Sequence, residues 1–255
     1  QNMPKRGFPI RKAIVSRFEN GTVIEADYSG LELVVCGELS QDQQIIADVK
    51  SGKDLHKQTA SIINQCSVAD VTKEMRQSAK AFSFAPIYGG TGGGQKDHIR
   101  RYFTEFFNLY KGLHGYHKKL TDGVLVDGLV QTPSGRQFYW KDAKRLGNGR
   151  ITNHTNVVNY PVQSFATADV VPLACIRAYR RFQELNLQSK IVLTVHDSIV
   201  VDCRRDERDQ VLEALRWAMV GVVDEVAERW NYTFTLPLEI EISEGKNWLD
   251  QVELD

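Results

Sequence analysis

The sequence lacks an excess of charge of either sign. Lys and Arg together number 32, as do Asp and Glu, so the formal net charge is zero. Overall electrostatics therefore give no argument for a nucleic-acid partner, and any contact with a polyanion has to come from local patches. Long apolar runs are also lacking: no stretch approaches the roughly 18 apolar residues of a membrane span, and no signal-peptide core follows the polar start. We expect a soluble intracellular protein without a membrane partner.

Cysteines are few and low-complexity segments are lacking. The four cysteines are scattered without Cys-x-x-Cys spacing, which argues against a zinc site and for reduced thiols. The hydrophobic content of 42% and the charged content of 25% are those of a globular protein. A chain of 255 residues can bury a core as one large domain or two smaller ones.

One carboxylate, Asp27, comes at the end of a short β-branched run that contains Val23 and Ile24. Asp is depleted in strands, so its position at the end of such a run favours a placed ligand. The alternative is a strand that ends in an ordinary Asp-x-Ser-Gly turn. This residue alone leaves both interpretations open.

A second carboxylate lies far downstream in 190–202. The β-branched runs at 191–195 and 199–201 flank His196-Asp197-Ser198, which predicts a tight hairpin with Asp197 at its tip. Mg²⁺ prefers oxygen ligands and is usually held by one or two carboxylates plus substrate phosphates. Two Asp residues on adjacent strand ends could therefore form a two-metal phosphoryl-transfer site.

At these residues the sequence resembles a known family. Asp27–Leu33 and Val195–Asp197 resemble the first and third polymerase motifs of family A DNA polymerases. Arg76-x3-Lys80-x3-Phe84-x3-Tyr88 resembles the nucleotide-binding helix of that family, and the order and separation of the three motifs also fit. The likeness extends from Gln1–Pro4 to Gly245–Trp248.

The resemblance implies an α+β polymerase palm with an antiparallel sheet plus helical fingers. It implies palm at 1–39 and 126–255 and fingers at 40–125, with the upstream thumb segment and the exonuclease domain missing. The implied activity is template-directed addition of deoxynucleoside triphosphates to the 3′-hydroxyl of primer-template DNA. The implied cofactor is Mg²⁺, two ions with Mn²⁺ as a substitute, held by Asp27, Asp197 and the carbonyl of Tyr28.

The middle motif places cations and aromatics at four-residue spacing, which forms one stripe roughly 18 Å long on a helix. Arg76 and Lys80 would bind the triphosphate, and Lys80 could also give a proton to the departing pyrophosphate. Phe84 and Tyr88 would face sugar and base. The alternative is an amphipathic helix with its aromatics in a core. Pro86 predicts a kink before Tyr88.

Two further residues gain roles from the resemblance, each with a plainer alternative. Glu32 matches a steric gate against the 2′-hydroxyl of a ribonucleotide, or is a surface glutamate near a helix N-terminus. His56 matches a histidine that contacts nucleotide phosphates, or is structural. Gly30, Val34 and Ser198 depart from the family pattern; a glutamate is usual in place of Ser198.

DNA contacts are implied at five positions. Arg6 matches an arginine that reaches the minor groove at the primer end, although a solvated terminal charge is the alternative. Arg136 lies in a Thr-x-x-Gly-Arg turn suited to phosphates. Asn159 and Gln163 match amides that approach the minor groove, whose acceptors are common to all base pairs. His196 is assigned to the same DNA-binding set.

The remaining pattern predicts scaffold. Helices are expected at 38–66, starting within Ser40–Gln43 with a break at Gly52, and across 95–120, where the aromatics are spaced like core residues. The alternative for 95–120 is a basic surface whose aromatics stack on bases. Ser164 is a candidate N-cap for a helix that runs to about Leu185. A helix at 211–230 and a strand at 234–243 that borders the hairpin complete the prediction.

Two other functions compete with a DNA polymerase. A single-subunit RNA polymerase has a related palm, but Glu32 and the pair Asn159 and Gln163 argue against it. A non-catalytic nucleic-acid-binding domain that kept the fold gains some support from Val34 and Ser198.

Overall fold

Strands from distant parts of the chain make one large sheet, and two strands close together in the sequence make a small one. In this computed structural model, which describes residue 3 and residues 9–254, the strands are β1 (Thr22–Tyr28), β2 (Leu129–Gln131), β3 (Gln137–Tyr139), β4 (Lys190–Val195), β5 (Ser198–Cys203), β6 (Ile240–Gly245) and β7 (Gln251–Leu254). The large sheet has the order β4-β5-β1-β6-β7, and β2 pairs with β3. All pairings are antiparallel.

Helices account for most of the remaining chain. The α-helices in the described part are α1 (Leu31–Ser40), α2 (Gln43–Lys50), α3 (Leu55–Asn64), α4 (Lys73–Ser83), α5 (Asp97–Leu109), α6 (Lys111–Asp127), α7 (His154–Ser164), α8 (Val171–Glu184), α9 (Arg208–Val220) and α10 (Val222–Trp230). A π-helical segment, Phe165–Val170, lies between α7 and α8 in the sequence. The expected α+β fold class is confirmed.

The chain divides into two compact units. One contains the described residues up to Leu31 and those from Ala166 onward, and it holds the large sheet; the other is Glu32–Phe165 and holds α2 to α7 with the small sheet. The palm and finger boundaries at 39/40 and 125/126 stay a prediction.

The two faces of β1 have different surroundings. Successive side chains of a strand point to opposite faces, and Ile24, Ala26 and Tyr28 are all buried on one of them. The hydroxyl of Tyr28 donates a hydrogen bond to the backbone carbonyl of Met219 in α9 at 2.7 Å, so helix covers that face. Val23, Glu25 and Asp27 point to the other face.

The predicted hairpin is confirmed. Val195 of β4 pairs with Ser198 of β5, which leaves His196 and Asp197 as a two-residue connection. Asp54, the expected start of a second helix after Gly52, caps α3 by accepting a hydrogen bond from the backbone N–H of Lys57 at 3.0 Å.

Several element boundaries were predicted wrongly. The strand expected at 234–243 begins at Ile240 and pairs with β1, on the side away from the hairpin. The helix expected at 211–230 is broken at Gly221 into α9 and α10. Ser164 is the last residue of α7 rather than an N-cap. The helix start expected within Ser40–Gln43 is confirmed, because Asp42 caps α2.

The segment 95–120 also differs from a single helix, because α5 ends at Leu109 and α6 begins at Lys111. The expectation that its aromatics are core residues is confirmed for Tyr102, Phe103, Phe106 and Tyr110, which are all buried.

The few cysteines and the lack of long apolar runs each have a counterpart in the structure. The four cysteines are all free thiols. Across residue 3 and residues 9–254, no helix combines the length and the apolar character that crossing a bilayer requires.

Candidate functional site

Two aspartates meet at one end of the large sheet. Asp27 is the penultimate residue of β1 and pairs with Ser198, the first residue of β5. The backbone N–H of Tyr28 donates a hydrogen bond to the carbonyl of Asp197 at 3.3 Å. This bond holds the end of β1 against the hairpin connection, so the two carboxylates become neighbours although 170 positions separate them (197 − 27).

The hairpin connection has an unusual backbone. His196 adopts a φ of 56°, in the left-handed region that non-glycine residues seldom occupy. This conformation is required by a connection of only two residues between β4 and β5. The His196 side chain is exposed, whereas Asp197 is half-buried.

The carboxylates around Asp27 repel one another. Partial burial, followed by the charge and hydrogen bond of Asp197 and the charges of Glu25 and Glu241, raises the pKa of Asp27 to about 7. Asp27 nevertheless keeps access to solvent. A concentration of negative charge that solvent can reach is an environment that favours a cation.

The donor set at this sheet end fits a hard divalent cation. Among the described residues no group of three or more His, Cys, Asp or Glu is arranged to hold a metal, so this site differs from a closed protein cage. Mg²⁺ usually takes only one or two protein carboxylates and completes its shell with water and substrate phosphates. Asp27 and Asp197 meet that requirement. Tyr28 can add only its backbone carbonyl, because its side chain lies on the opposite face.

A second set of predicted residues lies together in the unit 32–165, on the packed helices α3 and α4. Asp54, the N-cap of α3, accepts a hydrogen bond from Nε of Arg76 at 2.6 Å in a half-buried ion pair. Partial burial acts to raise the pKa of Asp54, but its hydrogen bonds to Arg76 and to the Lys57 backbone hold that pKa below its ordinary value. Asp54 therefore stays charged and fixes the guanidinium beside the start of α3.

His56 lies next to this ion pair. Its ring approaches Phe84 edge-on, with the centroids 5.6 Å apart. Partial burial and then the charge of Arg76 lower its pKa, with Lys80 acting in the same direction and Asp54 against it. Nδ1 of His56 is buried and has no hydrogen-bond partner among the described residues. The imidazole is thus a neutral polar group in a positively charged environment.

The aromatic end of the predicted stripe lies just past α4. The helix ends at Ser83 with Phe84 as its C-cap. It therefore stops just before Pro86, and Tyr88 lies beyond the break, as the kink predicted from that proline implied. A further turn continues the spacing, because the backbone N–H of Tyr88 bonds to the carbonyl of Phe84 at 3.1 Å. The two rings stack with centroids 6.1 Å apart. The hydroxyl of Tyr88 donates a hydrogen bond to the carboxylate of Glu32.

The structure thus assembles one predicted set in each unit. Contacts within 32–165 link Glu32 to Tyr88, Tyr88 to Phe84 and Phe84 to His56, and the charge of Arg76 acts on His56. Lys80 is exposed on α4 and is close enough to influence the pKa of His56.

The predicted DNA contacts are more dispersed. Asn159 and Gln163 lie one turn apart on α7, with Nδ2 of the first 3.4 Å from Oε1 of the second, and Oδ1 of Asn159 is buried without a partner in the described part. Arg136 is exposed beside Gly135 in the β2–β3 turn. Arg6 lies outside the described residues.

Sequence reasoning missed three acidic residues of these sets. Glu25 and Glu241 add to the charge around Asp27, and Asp54 holds Arg76. A signal existed for Glu25, which is two residues from Asp27 in a strand and therefore on the same face. Glu241 gave no local signal, because its strand reaches Asp27 only through the pairing of β6 with β1.

An antiparallel sheet covered by helices, with two aspartates at adjoining strand ends, defines the α+β palm fold expected of a polymerase. The family model of DNA polymerase family A matches residues 1–250, and the chain belongs to that family.

Individual relatives agree with the family. The chain is 35% identical to DNA polymerase I of Caldicellulosiruptor bescii over 98% of this chain and 29% of the relative. It is 31% identical to the thermostable DNA polymerase I of Thermus thermophilus over 99% of this chain and 30% of the relative. The chain therefore spans about a third or less of the curated relatives it matches.

A solved structure is also similar. It is the POL domain of Pol1 from M. smegmatis in complex with DNA primer-template and dNTP, with a TM-score of 0.81 and 25% sequence identity. The match covers 98% of this chain and 44% of that one. Neither a single-subunit RNA polymerase nor a non-catalytic binding domain is favoured by these relatives.

Proposed function

We propose that the chain is the catalytic part of a template-directed DNA polymerase that adds deoxynucleotides to a primer 3′-hydroxyl. The observation that carries this proposal is the adjacency of Asp27 and Asp197 at the sheet end, in a chain that belongs to DNA polymerase family A. Chemistry at such a site is phosphoryl transfer, for which positioning and charge neutralisation supply nearly all of the catalysis.

Asp27, Asp197 and the backbone carbonyl of Tyr28 would hold two Mg²⁺ ions, for which Mn²⁺ can substitute. These ions would activate the primer hydroxyl and neutralise charge on the leaving pyrophosphate. The raised pKa of Asp27 supports this role, because a carboxyl crowded by other carboxyls is stabilised in its charged form by a bound cation.

The residues on α3 and α4 would bind the incoming deoxynucleoside triphosphate. Arg76, oriented by Asp54, and the exposed Lys80 would contact the phosphates. Lys80 would also donate a proton to the pyrophosphate as it leaves. His56, whose pKa is lowered by partial burial and by the charge of Arg76, would add a neutral hydrogen bond to a phosphate oxygen.

Selectivity would reside in Glu32, Phe84 and Tyr88. The stacked rings offer an apolar surface to sugar and base, and Glu32 would occupy the space that a 2′-hydroxyl requires. Primer-template DNA would be contacted by Arg6, Arg136, Asn159, Gln163 and His196. Side-chain amides are suited to the shared acceptors of the minor groove.

Primer extension with Mg²⁺ and the four deoxynucleotides tests this function. Asp27→Asn and Asp197→Asn should each abolish extension with the fold intact, since each removes a charged ligand with little change in volume. Asp209→Asn, in which 93% of the replaced side chain is exposed, is the matched control and should extend primers normally.

Three outcomes would contradict the proposal. Substantial extension by either aspartate variant would reject the metal assignment. Preferential use of ribonucleotides would favour the RNA polymerase alternative. DNA binding without any extension, with Mg²⁺ or with Mn²⁺, would favour the non-catalytic domain.

A further inference from the structure

A third carboxylate stands beside the aspartate pair in the interior of the sheet. Glu25 pairs with Val200 of β5 on one side and with Ser243 of β6 on the other. It lies two residues before Asp27 and therefore on the same face of β1. A half-buried glutamate in a central strand is unusual, since strands favour β-branched and aromatic residues.

Both carboxylate oxygens of Glu25 are held by neutral donors. Nε1 of Trp248 donates a hydrogen bond to Oε2 at 3.0 Å, and Oγ of Ser198 lies 3.0 Å from Oε1. Trp248 and Ser198 are themselves buried, with 1% and 3% of their surfaces exposed. The indole packs with Val23, Val195 and Val200. The position of the Glu25 carboxylate is therefore fixed by the core of this unit.

Within the described residues none of the ion pairs includes Glu25, and the Arg11 guanidinium lies over the Trp248 ring rather than on the carboxylate. The charge of Glu25 is instead felt by Asp27. The residue that holds it is also informative. Ser198 stands where the family resemblance led us to expect a glutamate. An acid is thus missing from β5 at this position, and the hydroxyl found there contacts the acid Glu25 on the neighbouring strand β1.

We infer that Glu25 is a positioning residue of the acidic site: clamped by Ser198 and Trp248, it adds negative charge that helps Asp27 and Asp197 to bind a divalent cation. Glu25 acts through the two aspartates, and it precedes Asp27 by two residues on β1. The inference rests on the proposed function, because that function gives the aspartates their cation.

The variant Glu25→Gln isolates the charge. Oγ of Ser198 is also 3.1 Å from the carbonyl of Val195, so the hydroxyl can donate there and accept a hydrogen bond from the new amide. The glutamine oxygen can still accept from Trp248. Both contacts thus persist in a side chain of nearly equal volume. Glu213→Gln, at an exposed position on α9 in the same unit, is the matched control.

The primary measurement is Mn²⁺ binding to the metal-free protein without DNA or nucleotide, followed by water-proton relaxation. Residues that support metal ligands typically change metal affinity by about 10–100-fold, and we expect Glu25→Gln to weaken Mn²⁺ binding about tenfold. Glu213→Gln should bind as the wild type does. If Glu25 has only a structural role, Glu25→Gln would instead lower the unfolding temperature and leave the Mn²⁺ affinity unchanged. That result would overturn the inference.

A second variant covers the case in which Glu25→Gln folds poorly. Glu25→Asp keeps the charge but shortens the side chain, and its Mn²⁺ affinity should stay close to that of the wild type. An equal loss of affinity in a folded Glu25→Asp and in Glu25→Gln would show that charge is not the relevant property.

Primer extension over a range of Mg²⁺ concentrations separates this inference from the proposed function. The concentration for half-maximal rate should rise about tenfold in Glu25→Gln, while the rate at saturating Mg²⁺ changes less. A wild type that binds Mn²⁺ but never extends primers contradicts the function alone. Normal extension with identical metal dependence in wild type and Glu25→Gln contradicts the role of Glu25 alone.

Discussion

The hydroxyl of Tyr88 donates a hydrogen bond to the carboxylate of Glu32, which links the turn after α4 to the first turn of α1. Each residue was predicted to act on the sugar or base of an incoming nucleotide, and 56 positions separate them in the chain. The bond restricts both side chains to one arrangement. The position of each side chain thus depends on the other.

This pair predicts how sugar selectivity responds to mutation. Glu32→Ala should raise ribonucleotide incorporation relative to deoxynucleotide incorporation by about tenfold or more, because it opens space equal to more than a methylene group. Tyr88→Phe should give a smaller increase, since it removes one hydrogen bond to Glu32 and leaves the carboxylate itself in place. Competition between the two nucleotide types in single-nucleotide extension measures both effects.

Glu32→Gln is the matched control for that experiment. It preserves size and can still accept the hydrogen bond from Tyr88, so sugar selectivity should remain near that of the wild type. Unchanged selectivity in Glu32→Ala would reject the steric gate.

The ion pair between Asp54 and Arg76 predicts a link between helix capping and nucleotide binding. Asp54→Ala removes the N-cap of α3, which typically costs about 1 kcal/mol, and also frees the guanidinium of Arg76. We expect a several-fold higher KM for deoxynucleotides with a smaller change in kcat.

Thr72→Ala separates the two effects. Thr72 caps α4 by accepting from the backbone N–H of Met75 at 3.2 Å, but it does not hold Arg76. This variant should lose comparable stability and keep the wild-type KM. An equal rise of KM in both variants would show that helix fraying, and not the loss of the ion pair with Arg76, causes the higher KM.

The environment of Phe84 predicts a change in discrimination against dideoxynucleotides. Its ring is stacked on Tyr88 and touched at one side by His56. Phe84→Tyr adds a hydroxyl next to the sugar and, as the family resemblance implies, should relax that discrimination. Competition between dideoxynucleotides and deoxynucleotides measures it. Phe82→Tyr, two residues earlier on α4, is the control, and indifference of the Phe84 variant would reject its placement at the sugar.

Local pattern was sufficient for part of the acidic site. The β-branched runs around His196 and Asp197 predicted the hairpin because a two-residue turn between strands is a short-range feature. The strand face on which Glu25 lies could also have been inferred, because Glu25 is two residues from Asp27 in the sequence. Its clamp could not, because Ser198 and Trp248 lie 173 and 223 positions away and meet it only through strand pairing and core packing.

The element boundaries show the same limit. The apolar periodicity continued through Gly221, but the chain bends there, and a Cβ at this glycine would lie 2.7 Å from the carbonyl of Trp217. A glycine in a helical pattern was the available signal. No local sequence signal identified the partner of β6, because only the assembled sheet decides whether that strand pairs with β1 or with the edge of the hairpin.

A buried histidine predicts the acid stability of the chain. His117 of α6 is 4% exposed, and its Nε2 lies 3.1 Å from the carbonyl of Ile87, to which the neutral imidazole donates. Burial lowers its pKa to about 4; the bond to Ile87 opposes this change, and the charges of His154 and His114 reinforce it. The folded state therefore holds His117 neutral at pH 7.

The sign of the pH dependence follows from the two states. The unfolded chain binds this proton with an ordinary pKa of about 6.5, so it holds more protons than the folded chain between about pH 6.5 and pH 4. The free energy of unfolding must then decrease as the pH falls through this window, by about 3 kcal/mol for this residue.

His117→Gln keeps an N–H donor for Ile87 but cannot titrate. Its free energy of unfolding, measured with denaturant, should therefore decrease less steeply than that of the wild type as the pH falls. His114→Gln, at an exposed position one turn earlier, should retain most of the wild-type slope. Identical slopes in wild type and His117→Gln would mean that other groups, and not this buried imidazole, determine the acid limit.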